Sequence, residues 1–407
     1  MSYVELFFKK IDSKEDKICV FDQIISDFKL IVILGTPGSG KTKILKNYHE
    51  AHSSDTQYIK VKEFLLFPDK LNANTKALLL DGLDEYRSTE IDKAFVITKL
   101  GKAIKSLRDK GIKVIVTCRE MDWYGEHDKN ALESEIANEE VALFRIMPLD
   151  DNQKIAFAGM LGIKDSNQFV NEFSRYGFLE NPQLFIMMAY LYKENQQNTI
   201  NSKKDLYLTF IKTAREQNSA YNINKINQLE EGEILKLTGY LAFHYMFSSI
   251  DKMDAQFIDV ICDQEQGYAK EKIQSVLNTP LFIEGDFCHR TIAEFALAYF
   301  LKTFVLKESS YISLGRIKNL FVKNEIVPTE LRGAYAWLCS LTQEKEFIGV
   351  DPYYQAIHGD NSLFDIELKK EIVIQVKKYA EKNPYFYRFN HHMDLEGFYA
   401  HYLDEFF

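Results

Sequence analysis

Cysteine, proline and tryptophan are scarce in this chain, with five, eight and two among 407 residues. The cysteines (Cys19, Cys118, Cys262, Cys288 and Cys339) are odd in number, and none stands at metal-ligand spacing from another. That pattern excludes a disulfide scaffold and a cysteine-based zinc site, and it fits free thiols in a reducing compartment. Long apolar runs are missing too. The most apolar stretches, around Leu30–Leu34, Leu184–Tyr192 and Phe295–Leu301, fall short of the ~20 residues that span a bilayer, so no membrane partner is expected. The start, Met1-Ser2-Tyr3-Val4-Glu5, lacks the basic-then-apolar order of a secretory leader, and a cytoplasmic protein is expected. Positive charge is in deficit: 50 Lys and Arg against 59 Asp and Glu give −9. This argues against broad nucleic-acid binding and leaves room only for a local basic face. No low-complexity run, fixed-period repeat or flexible linker is visible.

What is present is a globular composition, 46% apolar and 27% charged, in a length that suits two to four domains. The pattern changes near residue 150. Before it, short β-branched apolar runs at Leu30–Leu34, Tyr58–Val61, Ala77–Leu80, Lys113–Thr117 and Val141–Ile146 alternate with helical stretches. One of these, Ile91–Lys110, repeats apolar residues every three or four positions and stops at Gly111. Strands alternating with helices predict a three-layer α/β domain with a parallel sheet. After residue 150 the periodicity is helical: Asp151–Leu161, Gln168–Tyr176, Pro182–Glu194, Lys203–Gln217 and Glu230–Phe247. The run Pro280 to His289 reads as a β-hairpin turning at Glu284-Gly285-Asp286, as a winged-helix module would give. From Ser313 the chain reads as helical again. It ends rich in aromatics (Tyr385, Phe386, Tyr387, Phe389), which read as packing residues, and in a histidine pair (His391, His392), which reads as exposed loop.

Gly35-Thr36-Pro37-Gly38-Ser39-Gly40-Lys41-Thr42 fits G-x-x-x-x-G-K-[ST], a match expected by chance in roughly 1–2% of chains this long. It follows an apolar strand and precedes a helix, the context in which such a loop cradles phosphates. Its backbone N–H groups and the helix N-terminus supply the positive field. Lys41 is placed to reach the β- and γ-phosphates, and the Thr42 hydroxyl to ligate Mg²⁺. Forty residues after Lys41, the strand Ala77–Leu80 delivers Asp81 to its C-terminal edge, where ligands bind in open α/β sheets. Asp81 is the expected second metal ligand, with Asp84 and Glu85 as orienting group or base for an attacking water. A third strand ends at Thr117-Cys118-Arg119, and Arg119 is a candidate sensor of the γ-phosphate. Cys118 has no partner base in the sequence and is not expected to be a nucleophile.

Together these residues resemble the NACHT branch of the STAND class of P-loop NTPases. Asp81-Gly82-Leu83-Asp84-Glu85 is the narrowest mark. Phe144 to Leu149 followed by Asp151–Leu161 looks like the start of that family's helical domain, Asn181-Pro182-Gln183-Leu184 like its proline motif, and Phe287-Cys288-His289 like its winged-helix Phe-x-His segment. The resemblance spans roughly Leu30 to Leu301. It implies that Pro182 packs near the nucleotide base and that His289 contacts the β-phosphate of ADP in a closed, inactive form. Thr117-Cys118-Arg119 stands where the family usually has Thr-Ser-Arg. The division that follows is 1–29 as a short N-terminal segment, 30–150 as the P-loop NTPase domain, 151–225 as a helical domain, 226–300 as a winged helix and 301–407 as a C-terminal helical segment.

The function so implied is an ATP/ADP switch that oligomerises with its own copies on activation, in bacterial antiphage immunity, with a phage protein as a possible trigger. Only 34 residues precede Gly35 and 106 follow Leu301, so effector and sensor functions are expected from partners or from a longer chain. Two other classes compete. One is a turnover enzyme, an AAA-like remodelling ATPase or small-molecule kinase, for which Arg87 or Arg119 is a candidate arginine finger. The other is a non-hydrolysing scaffold, which has no use for the acidic set Asp81, Asp84 and Glu85.

Overall fold

Each apolar run before residue 150 becomes a strand. The computed structural model describes residues 4–11, 18–68, 71–89, 95–136, 140–174, 177–194, 200–217, 229–248, 253–264, 270–283, 285–306 and 312–382. The terminal aromatics and the histidine pair lie outside these residues. Contacts divide the chain into two compact units, Met1–Ile186 and Met187–Lys382.

The first unit is built on seven strands: β1 (Phe7–Lys10), β2 (Ile18–Val20), β3 (Leu30–Gly35), β4 (Thr56–Lys60), β5 (Ala77–Asp81), β6 (Lys113–Arg119) and β7 (Ala142–Ile146). They lie in the order β2-β1-β7-β3-β6-β5-β4. The five central strands, β7 to β4, are parallel, and β1 runs antiparallel to both β7 and β2. Phe7–Lys10 and Ile18–Val20, read from the sequence only as part of a short leading segment, therefore extend the sheet.

A parallel sheet must be covered on both faces, which explains runs such as Leu30–Leu34 with no polar alternation. Leu30, Val32 and Leu34 join Leu78, Leu80, Val114 and Val116 in one core, capped by the helix Phe95–Asp109 through Ile97, Leu100, Ile104 and Leu107. Ile31, Ile33, Leu79 and Ile115 are equally buried and point to the opposite layer. The expected α/β architecture is the observed one. Beside β4, the Gln57 side chain accepts hydrogen bonds from the Asn72 backbone N–H at 2.9 Å and the Thr75 hydroxyl at 3.3 Å, pinning the segment that leads into β5.

After β7 the chain turns helical, as its periodicity predicts. Asp150 and Gln153 cap the helix Asp151–Met160 reciprocally, each side chain accepting from the other's backbone N–H at 2.8 and 2.9 Å. Helices Ser166–Phe173 and Pro182–Lys193 follow.

The second unit is almost wholly helical. Its centre is a cluster of Tyr207, Phe295 and Trp337, whose rings lie 4.9–5.2 Å apart on helices Lys203–Gln217, Arg290–Phe300 and Arg332–Thr342. Close packing of helix Glu231–Phe247 on Arg290–Phe300 requires Gly239, since a Cβ there would fall 2.3 Å from Phe300. The predicted hairpin is present, with Phe282 paired to Phe287 and Ile283 to Asp286. Among the described residues no helix is long and apolar enough to cross a membrane.

Candidate phosphate and cation site

The loop Gly35 to Thr42 connects the buried end of β3 to the helix Lys41–Ala51. Gly38 and Gly40 take φ of +78° and +98°, conformations that L side chains rarely adopt. Gly35 is required for another reason: a Cβ would fall 2.6 Å from the Ser39 hydroxyl. That Ser39 oxygen is buried with no hydrogen-bond partner among the described residues. The Lys41 ammonium folds back over the loop, donating to the Gly35 carbonyl at 2.7 Å and the Thr36 carbonyl at 2.9 Å. An ammonium has three donors, so one is left for a ligand. Burial lowers its pKa, with Asp84 opposing. The geometry fits a phosphate chain: backbone N–H groups at a helix start, one directed cation and an unsatisfied hydroxyl.

Beside the loop lies a cluster centred on Asp81, which is 2% exposed. The Thr42 hydroxyl donates to it at 3.0 Å, Tyr58 at 2.8 Å, Lys60 at 3.0 Å and Thr117 at 2.6 Å. Burial works to raise the Asp81 carboxyl, but Lys60, Thr117 and Tyr58 overcome it and hold the group below its usual range. Lys60 is shifted the opposite way: burial lowers it, but Asp81 and Glu85 together raise it. Strand register explains the arrangement, because Lys60 is the direct neighbour of Asp81 across β4 and β5. The oxygens of Thr42 and Asp81 are the hard donors that Mg²⁺ prefers, and the Lys60 ammonium shows that this position attracts a cation. Thr42 and Asp81 would hold the metal, which when bound neutralises charge developing on the phosphates.

The two other acids separate in role. Asp84 is buried, accepting from the Arg119 backbone N–H at 3.2 Å and ion-paired to the Arg119 side chain at 2.9 Å. Because Arg119 sits opposite Gly35 across β3 and β6, this pair ties the acidic turn to the start of the loop. Asp84 is thus engaged by Arg119 within the fold. Glu85 keeps half its side chain exposed, with Lys60 at 3.3 Å, and is the acid open to water.

Arg87 is buried at 2% exposure against the fully buried Asp128, 2.7 Å away, and also donates to the Asp122 carbonyl. A guanidinium locked this way inside its own fold cannot serve a neighbouring subunit, which removes one expected arginine finger. Replacing Arg87 by alanine should cost about 3–5 kcal/mol of stability in urea denaturation, since it strands a buried carboxylate. A loss near zero would place the side chain elsewhere. Cys118 is buried too, and burial pushes its thiol well up, so it is not a thiolate nucleophile.

Pro182 opens the helix Pro182–Lys193, and its neighbours touch the loop. The Asn181 amide donates to the Pro37 carbonyl at 2.9 Å, and the Gln183 N–H approaches the Gly38 carbonyl at 3.3 Å. His289 stands at the start of helix Arg290–Phe300 in the second unit. Sequence reasoning missed Tyr58 and Lys60, and it gave Asn181 and Gln183 only as part of the proline motif, without their contacts to the loop. Tyr58 and Lys60 share one face of a strand at period two, a signal that would have placed both beside Asp81 once β4 was paired with β5.

The sheet, the loop and the acid at the tip of β5 are those of a P-loop NTPase domain, followed by a helical region. No protein-family model matches the sequence, and no curated protein does. Among solved structures the chain is similar to a DNA replication initiation factor, at 13% identity over 82% of this chain and 88% of that one, with a TM-score of 0.32. It is similar also to a Walker-type ATPase of Pyrococcus abyssi (11%, covering 63% and 85%, TM-score 0.29) and to AMPPCP-bound DnaA from Aquifex aeolicus (11%, covering 82% and 90%, TM-score 0.32). At such low similarity, function has to be argued from the site itself.

Proposed function

We propose that this chain is an ATP-dependent switch of the STAND class, its NACHT branch, that binds ATP or ADP with Mg²⁺ and hydrolyses ATP slowly. The observation that carries this reading is the joining of three parts at one sheet edge: a formed phosphate loop with Lys41 folded over it, the Thr42–Asp81 pair, and the open Glu85. Glu85 activates or orients water, and Lys41 with the loop N–H groups stabilises charge on the transferred phosphoryl group. In the family's manner, Pro182 packs beside the base. His289, at the end of a winged helix formed by the hairpin and its flanking helices, reads the β-phosphate of ADP. Recognition of a trigger, such as a phage protein, then favours ATP, opening and self-assembly. The output is a population shift set by differential nucleotide affinity. The competing reading, an AAA-like remodelling ATPase, shares the same site and differs in turnover.

The test is to denature the purified protein and identify the released nucleotide by chromatography. Near-stoichiometric ADP is expected, the mark of slow exchange in a closed switch. An empty site together with rapid, partner-independent ATP turnover would displace the switch in favour of the turnover enzyme.

A further inference from the structure

Asn181 makes two kinds of contact at once. Its side-chain oxygen accepts from the Gln183 N–H at 3.0 Å and the Leu184 N–H at 3.3 Å, capping the helix Pro182–Lys193. Its amide nitrogen turns the other way and donates to the Pro37 carbonyl inside the phosphate loop at 2.9 Å. Gln183 follows suit: its N–H approaches the Gly38 carbonyl, and its side chain is 4% exposed. The fit is tight. A Cβ on Gly38 would lie 2.5 Å from the Gln183 side-chain oxygen and 2.8 Å from that of Asn181.

A trans peptide is planar, with its C=O and N–H on opposite sides. The Pro37 carbonyl shares its peptide with the Gly38 N–H, and the Gly38 carbonyl shares its peptide with the Ser39 N–H. Holding the Pro37 carbonyl outward therefore turns the Gly38 N–H to the other side of the loop, while the Ser39 N–H donates to the Thr36 carbonyl at 3.2 Å and closes the turn. The helix so capped runs through the division between the two units, which falls after Ile186.

We propose that Asn181 is a positioning residue for phosphate binding. It aims the Gly38 N–H through the Pro37 carbonyl and thereby couples nucleotide occupancy to the first turn of the helix Pro182–Lys193. The proposal rests on the nucleotide-binding reading above and adds to it a route by which occupancy reaches the start of the second unit.

Asn181→Ser separates the two contacts, because serine caps helices as well as asparagine but is too short to reach Pro37. The variant should stay folded, with only a small fall in the urea midpoint of the nucleotide-free protein from the lost Pro37 contact. It should bind a fluorescent ADP analogue about tenfold more weakly, because the Gly38 N–H is no longer held in place. In wild-type protein, ADP should slow hydrogen exchange at the amides of Gln183, Leu184 and Phe185, and in the variant this increment should vanish. Wild-type affinity with an undiminished increment in the variant would overturn the coupling. Should the variant not fold, the wild-type experiment still decides, since ADP binding that leaves those three amides unchanged overturns it too. Wild-type protein that binds no ADP in the same assay removes the underlying nucleotide reading as well.

Discussion

Replacing Lys41 by alanine is expected to abolish nucleotide binding, weakening it at least a hundredfold. The size follows from what the side chain does. Its ammonium folds onto the loop and holds the Gly35 and Thr36 carbonyls, with one donor remaining for a phosphate. A charge-assisted contact of that kind is worth on the order of 3 kcal/mol, or about a factor of 150 in affinity. Two further carbonyls also lose their donor, so the loop itself loosens. Titration of a fluorescent nucleotide into wild type and variant checks the result, and equal affinities would remove the loop as the binding site.

Glu85→Gln is expected to do the opposite: leave binding within about twofold of wild type and slow hydrolysis on the order of 10²–10⁴-fold, the usual contribution of a general base. The amide keeps the shape and its contact with Lys60 but cannot take a proton. Asp84→Asn serves as the contrast. It breaks a buried ion pair with Arg119 rather than the open acid, so its main effect should fall on loop position and binding. Single-turnover hydrolysis measured beside equilibrium binding separates the two, and full activity in the Gln variant would take Glu85 out of the mechanism.

Much of the nucleotide-binding unit was legible because its signals are local. Gly35 to Thr42 announces itself by composition and spacing, and the strands around it are buried on both faces and so read as unbroken apolar runs. What was not legible depends on pairing. In Phe7-Phe8-Lys9-Lys10 only Phe8 is fully buried, and two lysines disguise a strand whose place is set by β7, more than 130 residues away. The buried role of Arg87 depends on Asp128, 41 positions on, and no local pattern distinguishes it from a surface arginine. Asn181 precedes a proline, in the segment that resembles the family's proline motif. Its cap on the next helix could be anticipated, but its second bond to Pro37 spans 144 residues. Asp84 and Glu85 are adjacent and chemically alike, and only the position of Arg119 at the tip of β6 tells them apart.

An open sheet ends in two rows of unpaired amides and carbonyls, a template on which other chains can add strands. Here one margin is blunted. On one side β2 is three residues long, too short to seed an intermolecular ladder. On the other margin lies β4, five residues long, whose Gln57 side chain holds the segment that leads into β5. Growth of the sheet by addition of strands is thus disfavoured at the β2 margin. Contacts between copies at that margin would then fall to side-chain surfaces, which can be selective and reversible, rather than to a continued backbone ladder.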